Sequence, residues 1–154
     1  MTAPDPRIVP ILCGLNDAQA SGRDPALDAH AESFLVALSE LVESRRGRVL
    51  IVAGADLAHV GPRFGDAGPL DAQGRRRLAE RDSESITLAV DGDASGFFTQ
   101  VQADLGTRRV CGLGPIYTVL RVLPATKGAK LHYAQHVDPD EGSIVSHTSL
   151  AFYA

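Results

Sequence analysis

The stretch RVLIVAGADLAHVGPRFGD, residues 48–66, decides the fold that we predict for this chain. It opens with the aliphatic run 49–52, and an apolar run that ends near a glycine is typical of a buried strand. Asp56 and His59 follow in a loop rich in glycine and proline. Because open α/β sheets bind ligands beyond the carboxyl ends of their strands, Asp56 and His59 are the first candidates for chemistry.

Strands and helices are predicted on both sides of this stretch. The further strands are 7–13, 130–137 and 143–153, and the helices are 26–46, 71 to about 90, 94–105 and a segment that starts at Pro115. The strand–helix–strand order at the start predicts a right-handed βαβ unit, which needs a parallel sheet. We therefore predict a single α/β domain over residues 1–154, with a mixed, mainly parallel sheet and flanking helices.

Helix caps and apolar spacing support these predictions. Asp24 and Pro25 suit the cap and first position of the first helix, and Asp71 suits the cap of the second. Residues with helical spacing predict the buried side of the first and third helices: Phe34, Leu35, Leu38, Leu41 and Val42 in one, Phe97, Phe98 and Val101 in the other.

Composition excludes several classes of function. The 154 residues carry a net charge of -4, whereas nucleic-acid-binding domains are normally basic. No apolar run approaches the roughly 20 residues that a membrane-spanning helix needs, and the amino terminus lacks the apolar core of a signal peptide. The two cysteines match no disulfide framework. We expect a cytoplasmic, reduced protein without nucleic-acid or membrane partners.

The Asp56 and His59 pair has two interpretations. In the first, Asp56 caps the turn after the strand and His59 is incidental. In the second, the carboxylate orients the imidazole and raises its basicity, as in a general base or a metal ligand. The position of the pair beyond a strand favours the second interpretation, while the spacing alone is weak.

Cys111 also has two interpretations. It is either a small buried hydrophobic residue, which is common for free cysteine, or a reactive thiolate. The sequence Cys-Gly-Leu-Gly-Pro places it just before a predicted helix, and the partial positive charge of a helix amino terminus favours a thiolate. Such a thiolate can act as a nucleophile or bind iron, copper or zinc.

Other polar residues are weaker candidates. Arg63 is placed to hold an anion, although a loop arginine is usually only solvated, and Cys13 is expected in the core. His132 and His136 are four apart on a predicted strand, so they share a face and are expected at the surface or supporting a site. His30 and His147 are interpreted as incidental.

Two long motifs, GADLAHVGPRFGD at 54–66 and RRVCGLGPIYTVLRVL at 108–123, resemble the Memo family. In bacteria and archaea this family is labelled AmmeMemoRadiSam system protein B. The segments RIVPILCG at 7–14 and GSIVSHTSLAF at 142–152 also fit its pattern. Because family members are about twice as long, the chain resembles only their C-terminal half, and the N-terminal half would be absent.

The resemblance implies a fold and a site. Memo proteins are similar to the catalytic subunit of class III extradiol ring-cleaving dioxygenases, so the chain would form half of a LigB- or Memo-like domain. Carried over, Cys111 would be a thiolate metal ligand, His59 the acid/base histidine, and Asp56 its support. The two histidine ligands of the family would belong to the half that this chain does not match.

Three hypotheses follow from the resemblance. The first is a non-haem iron(II) or copper protein with dioxygenase-like redox activity on a small aromatic compound. It would be incomplete in this chain and completed by a missing N-terminal half or a partner chain. A cysteine thiolate is a soft ligand, and it would favour copper at such a site. The second is a non-catalytic binding or adaptor module that holds a peptide or a metal ion. The third is an inert fragment whose exposed apolar face causes aggregation.

Overall fold

The fold consists of four α-helices and three β-strands in the described part of the chain. The computed structural model describes residues 7–14, 25, 28–104, 106–123 and 127–153. In chain order the elements are α1 (Ala29–Ser44), β1 (His59–Val60), a 3-10 turn (Pro62–Phe64), α2 (Ala72–Val90), α3 (Ala94–Gln102), α4 (Leu113–Val122), β2 (Gly128–Val137) and β3 (Ile144–Phe152).

The sheet is antiparallel throughout. Its order is β1-β3-β2, so β3 is the central strand, and both neighbouring pairs run antiparallel. A mixed α/β fold is therefore confirmed, while the prediction of a mainly parallel sheet is wrong. The hairpin of β2 and β3 is joined by a short polar turn in which Gly142 has a φ of 70°, a conformation that favours glycine.

The two apolar runs expected to form parallel strands do not form strands. Residues 7–14 and 49–52 are described without helix or strand, and Leu12 and Leu50 are 100% and 87% exposed. A strand needs a neighbouring strand to take up its backbone hydrogen bonds. No strand of the described residues pairs with either run, so the predicted βαβ unit is absent there.

The helices lie close to their predicted positions. α1 begins at Ala29 because the Asp28 carboxylate accepts hydrogen bonds from the amides of His30 and Ala31. The predicted cap Asp24 lies outside the described residues. α2 begins after Asp71, which caps it as predicted, and ends at Val90. α3 ends at Gln102, before the predicted end at residue 105.

The main core lies between the helices and one face of the hairpin. Its largest buried side chains are Phe97, Phe98 and Tyr117, and the rings of Phe98 and Tyr117 meet edge to face with centroids 6.0 Å apart. From α1, Leu35 is buried, whereas Phe34 and Leu41 are half exposed. Among the helices described, none is long and apolar enough to cross a membrane.

Candidate functional site

Asp56, His59 and Cys111 come together at one end of the sheet. One carboxylate oxygen, one imidazole nitrogen and the sulfur atom all lie within 4.8 Å of one another. Asp56 and Cys111 are exposed and His59 is half-buried, so the group opens to solvent. The Asp56 and His59 pair and Cys111, which the sequence places 52 or more residues apart, thus form one cluster.

The segment that carries Asp56 and His59 is fastened to the central strand. The amide of Leu57 donates to the Ser146 carbonyl at 2.8 Å, and the amide of Ala58 donates to Ser146 Oγ at 2.9 Å. His59, which belongs to β1, pairs with Val145 of β3. It therefore lies in a short strand and not in the predicted loop. This pairing fixes the backbone that carries the imidazole.

A buried charged cluster supports the same backbone from the other side. The amide of His59 donates to the Arg108 carbonyl at 2.7 Å. The Arg108 side chain is 5% exposed, and it pairs with Asp82 at 2.7 Å and with Asp104. Asp82 also accepts a hydrogen bond from the hydroxyl of Tyr133 in β2, at 2.9 Å. Burial raises the pKa of Tyr133 to about 12, so this phenol remains a donor across the physiological range.

A second arginine closes the loop that follows His59. Arg109, the one described residue other than glycine with a positive φ (47°), donates to the Asp66 carboxylate at 2.7 Å and to the His59 carbonyl at 3.3 Å. Asp66 in turn accepts from the Gly61 amide at 2.7 Å. The hydrogen bond from Arg109 is the main reason why the pKa of Asp66 lies below its usual value.

The His59 ring is oriented by its own backbone and by a neighbouring ring. Nδ1 lies 3.2 Å from the Leu57 carbonyl oxygen. A carbonyl can only accept, so this contact assigns the proton to Nδ1 and leaves Nε2 to take a proton or bind a metal. Phe64 packs edge-on against the imidazole, with centroids 5.1 Å apart. The predicted role of Asp56 in orienting the ring stays a prediction.

Cys111 precedes α4, as predicted, although the helix begins at Leu113 and not at Pro115. The thiol is exposed, so the interpretation as a buried hydrophobic residue is wrong. Its Sγ donates to the Asp56 carbonyl oxygen at 3.7 Å. Gly112 permits this approach, because a Cβ at this position would overlap the carbonyl oxygen of Asp56.

The donor set fits a transition metal. Zinc or iron sites with three protein ligands combine imidazole nitrogen with thiolate sulfur or with carboxylate oxygen and keep an open position. Bond lengths of about 2.0–2.3 Å place neighbouring donors of a tetrahedral ion roughly 3.3–3.8 Å apart. The present spread of up to 4.8 Å therefore needs a closure of about 1 Å, which side-chain rotation can supply.

The weaker candidates lie elsewhere or are already engaged. Arg63 pairs with Glu141 at 2.9 Å and with Asp138 at 3.1 Å, so its charge is already paired with two carboxylates. Cys13 is half-buried in a segment without strand structure. The sequence does not single out Ser146, Arg108 and Asp66, because each supports the site through a bond between residues more than 40 positions apart.

Two comparisons with known proteins bear on this site. A family model described as Memo-like protein matches residues 2–151. A MEMO1 family protein of Thermococcus onnurineus (strain NA1) is 28% identical over 156 residues, which covers 96% of this chain and 49% of that protein. The chain thus spans about half the length of the curated relative it matches. Since the family match extends over almost every residue, this chain belongs to the family of Memo-like proteins.

Proposed function

We propose that the chain supplies one side of a non-haem iron or copper centre, with Cys111 as its thiolate ligand. The observation that carries the proposal is the cluster of one carboxylate, one imidazole and one thiol within 4.8 Å. The cytoplasm, where we place the protein, keeps Cys13 and Cys111 reduced, and Cys111 is then free to bind metal.

Of the three side chains, Cys111 alone is the metal ligand in this proposal, and His59 and Asp56 act beside it as an acid/base pair. Iron or copper held there would supply the Lewis acidity and redox capacity of a dioxygenase-like reaction on a small aromatic compound. Nε2 of His59 moves a proton, since Nδ1 is engaged by the Leu57 carbonyl. Asp56 provides a negative charge that stabilises the imidazolium formed when Nε2 is protonated.

The proposal includes a completing half, in the same protein or in a partner chain. The relative from Thermococcus is matched over only 49% of its length. Two exposed apolar segments, 7–14 and 49–52, lie near the site: the Cys13 carbonyl contacts Gly114 of α4, and the second segment leads directly to Asp56. Strands from the other half would pair with these segments and bring further metal ligands.

Metal binding is tested on the protein as isolated from its source cells. Loaded with cobalt(II) as an optical probe, it should show thiolate-to-metal charge-transfer absorption. Cys111→Ser should abolish this band and Cys13→Ser, the matched control, should retain it. A band that survives in Cys111→Ser, or that disappears equally in both variants, would contradict the proposal.

Catalysis is tested against the alternative of a non-catalytic binding module. The exposed apolar segments favour this alternative, because such surfaces can bind a partner. With iron(II) and a simple catechol, oxygen consumption should be lost in His59→Ala and kept in His30→Ala, whose histidine lies on α1. If neither variant nor the parent consumes oxygen while a peptide partner still binds, the chain is a binding module.

The completing half is tested by the intact mass of the native protein. A mass near 16.3 kDa, together with a monomeric chain that binds metal without any partner, would refute the completing half. A mass near twice that value, or a stable complex with a second chain, would support it.

A further inference from the structure

Three histidines of the hairpin lie on the same face of the sheet as His59. In β2, His132 and His136 flank Ala134, which is paired with His147 of β3. His136 is paired with Val145, and Val145 is paired with His59 on its other side. Residues directly opposite in a sheet point to the same face, and so do residues two apart on one strand. One face therefore carries all four imidazoles.

This face is the one directed away from the core. The alternate residues of β2 point the other way, where the Tyr133 hydroxyl bonds to Asp82 and the Gln135 amide donates to the Arg75 carbonyl of α2. His132 is exposed and His147 half-buried. Within the described residues, the ring nitrogens of these two histidines make no hydrogen bond to protein, so they are accessible to a ligand.

The two rings are spaced for a shared ion. The centroids of His132 and His147 are 6.2 Å apart, with ring planes tilted by 44°. A metal about 2.0–2.1 Å from each nitrogen lies roughly 3.2 Å from each centroid, so two imidazole ligands place their centroids about 5.2 Å apart at a tetrahedral angle and at most about 6.4 Å apart. The observed spacing lies within these limits. A small rotation of either side chain would bring it to the tetrahedral value.

We propose that His132 and His147 form a second metal site, for a divalent transition-metal ion such as zinc(II) or copper(II). Imidazole suits these ions, and the two protein ligands of the site are both imidazoles. Water fills the remaining positions of the ion, which makes the site open and exchangeable. It is separate from the cluster at Cys111 but on the face that His59 shares.

The pair has a firm scaffold. The His132 carbonyl accepts a hydrogen bond from the Thr148 hydroxyl at 2.7 Å, which ties the two strands together next to the histidines. The ladder has an irregularity between Lys130 and His132, and from 132 to 137 it continues without interruption. Because both ligands stand on this paired backbone, binding requires only side-chain rotation, and its entropic cost is low.

The test uses zinc(II) and the full protein carrying Cys111→Ser, which removes the thiolate of the first site. Calorimetric titration should show a zinc site that weakens by about tenfold or more in His132→Ala and in His147→Ala, since each loses one of two protein ligands. His30→Ala is the matched control and should bind as the parent does. Equal zinc affinity in all four proteins would overturn the proposal.

A second measurement needs no substitution at the pair. Substoichiometric copper(II), added to the labelled Cys111→Ser protein, should broaden the resonances of His132 and His147 before those of His30, because a paramagnetic ion affects its nearest nuclei most. Broadening confined to other parts of the chain would overturn the site. Absence of metal binding at Cys111 in the unsubstituted protein, together with an intact response here, would refute only the first centre.

Discussion

Gly112 lies directly against the carbonyl oxygen of Asp56, with no room for a side chain between them. A Cβ at this position would overlap that oxygen and lie 3.2 Å from the Ala55 Cβ. The φ of Gly112 is -73°, which any residue adopts, so the glycine is needed for space and not for backbone freedom. The approach brings the Cys111 loop to the Asp56 segment.

Gly112→Ala should therefore move the Cys111 loop away from the Asp56 segment. We expect a loss of about 1–3 kcal/mol in the free energy of unfolding, typical of overpacking, together with weaker metal binding at Cys111. Urea denaturation and cobalt titration measure the two effects. Gly54→Ala is the control, since a Cβ there meets nothing within 4 Å. Equal stability and equal binding of both variants would contradict the steric account.

Asp82→Ala should be strongly destabilising. The carboxylate is fully buried and pairs with Arg108 at 2.7 Å, so its removal leaves a buried guanidinium with fewer partners. Breaking such a pair costs about 3–5 kcal/mol. Glu43→Ala, which breaks an exposed pair between Glu43 of α1 and Arg46 just beyond the helix, should cost far less, because solvent screens exposed pairs. Urea denaturation measures the free energy of unfolding of both variants. Similar losses in the two would contradict this expectation.

The Asp66–Arg109 pair should give a pH-dependent contribution to stability. The folded pKa of Asp66 lies below its ordinary value of 3.8, so its stabilisation is complete above that pH and is lost as the pH falls through the folded pKa. The carboxylate is 34% exposed, which limits the contribution to about 1 kcal/mol. Urea denaturation of the parent and Asp66→Asn should show a constant difference at neutral and mildly acidic pH. The two should converge under strong acid, and a difference that grows on acidification would contradict the sign.

Ser146→Ala should loosen the site segment. Ser146 Oγ accepts from the Ala58 amide in a fully buried position, and an unpaired buried amide costs about 1–3 kcal/mol. Hydrogen exchange at the Ala58 amide should accelerate. Ser149→Ala, at an exposed position of the same strand, should change stability by less than about 0.5 kcal/mol. Unchanged exchange at Ala58 in Ser146→Ala would show that the hydroxyl is dispensable.

Local signals account for what the sequence predicted well. Asp71 and the spacing after it gave α2 within one residue, because capping and helical periodicity act between near neighbours. The strands predicted at 130–137 and 143–153 are also close to the observed β2 and β3, because their composition and the polar turn between them are local features. The position of Cys111 just before a helix also follows from a local pattern, whereas the exposure of its thiol was left open.

Non-local pairing accounts for what was missed. The run 49–52 indicates an extended segment that favours burial, but it carries no information about which strand would pair with it or in which direction. The partners of the site segment, Ser146 and Arg108, are distant in sequence and belong to no motif. That Asp56, His59 and Cys111 meet is a property of the tertiary structure, although each was recognised from its surroundings.

The tie between Ala58 and Ser146 sets the time at which the site can form during synthesis. Ser146 lies 88 residues after Ala58, so a nascent chain that has just exposed Cys111 holds all three candidate donors without the strand that fixes two of them. Contacts of such long sequence separation form late. The metal capture that we propose for this cluster would therefore follow the synthesis and pairing of the strand that carries Ser146.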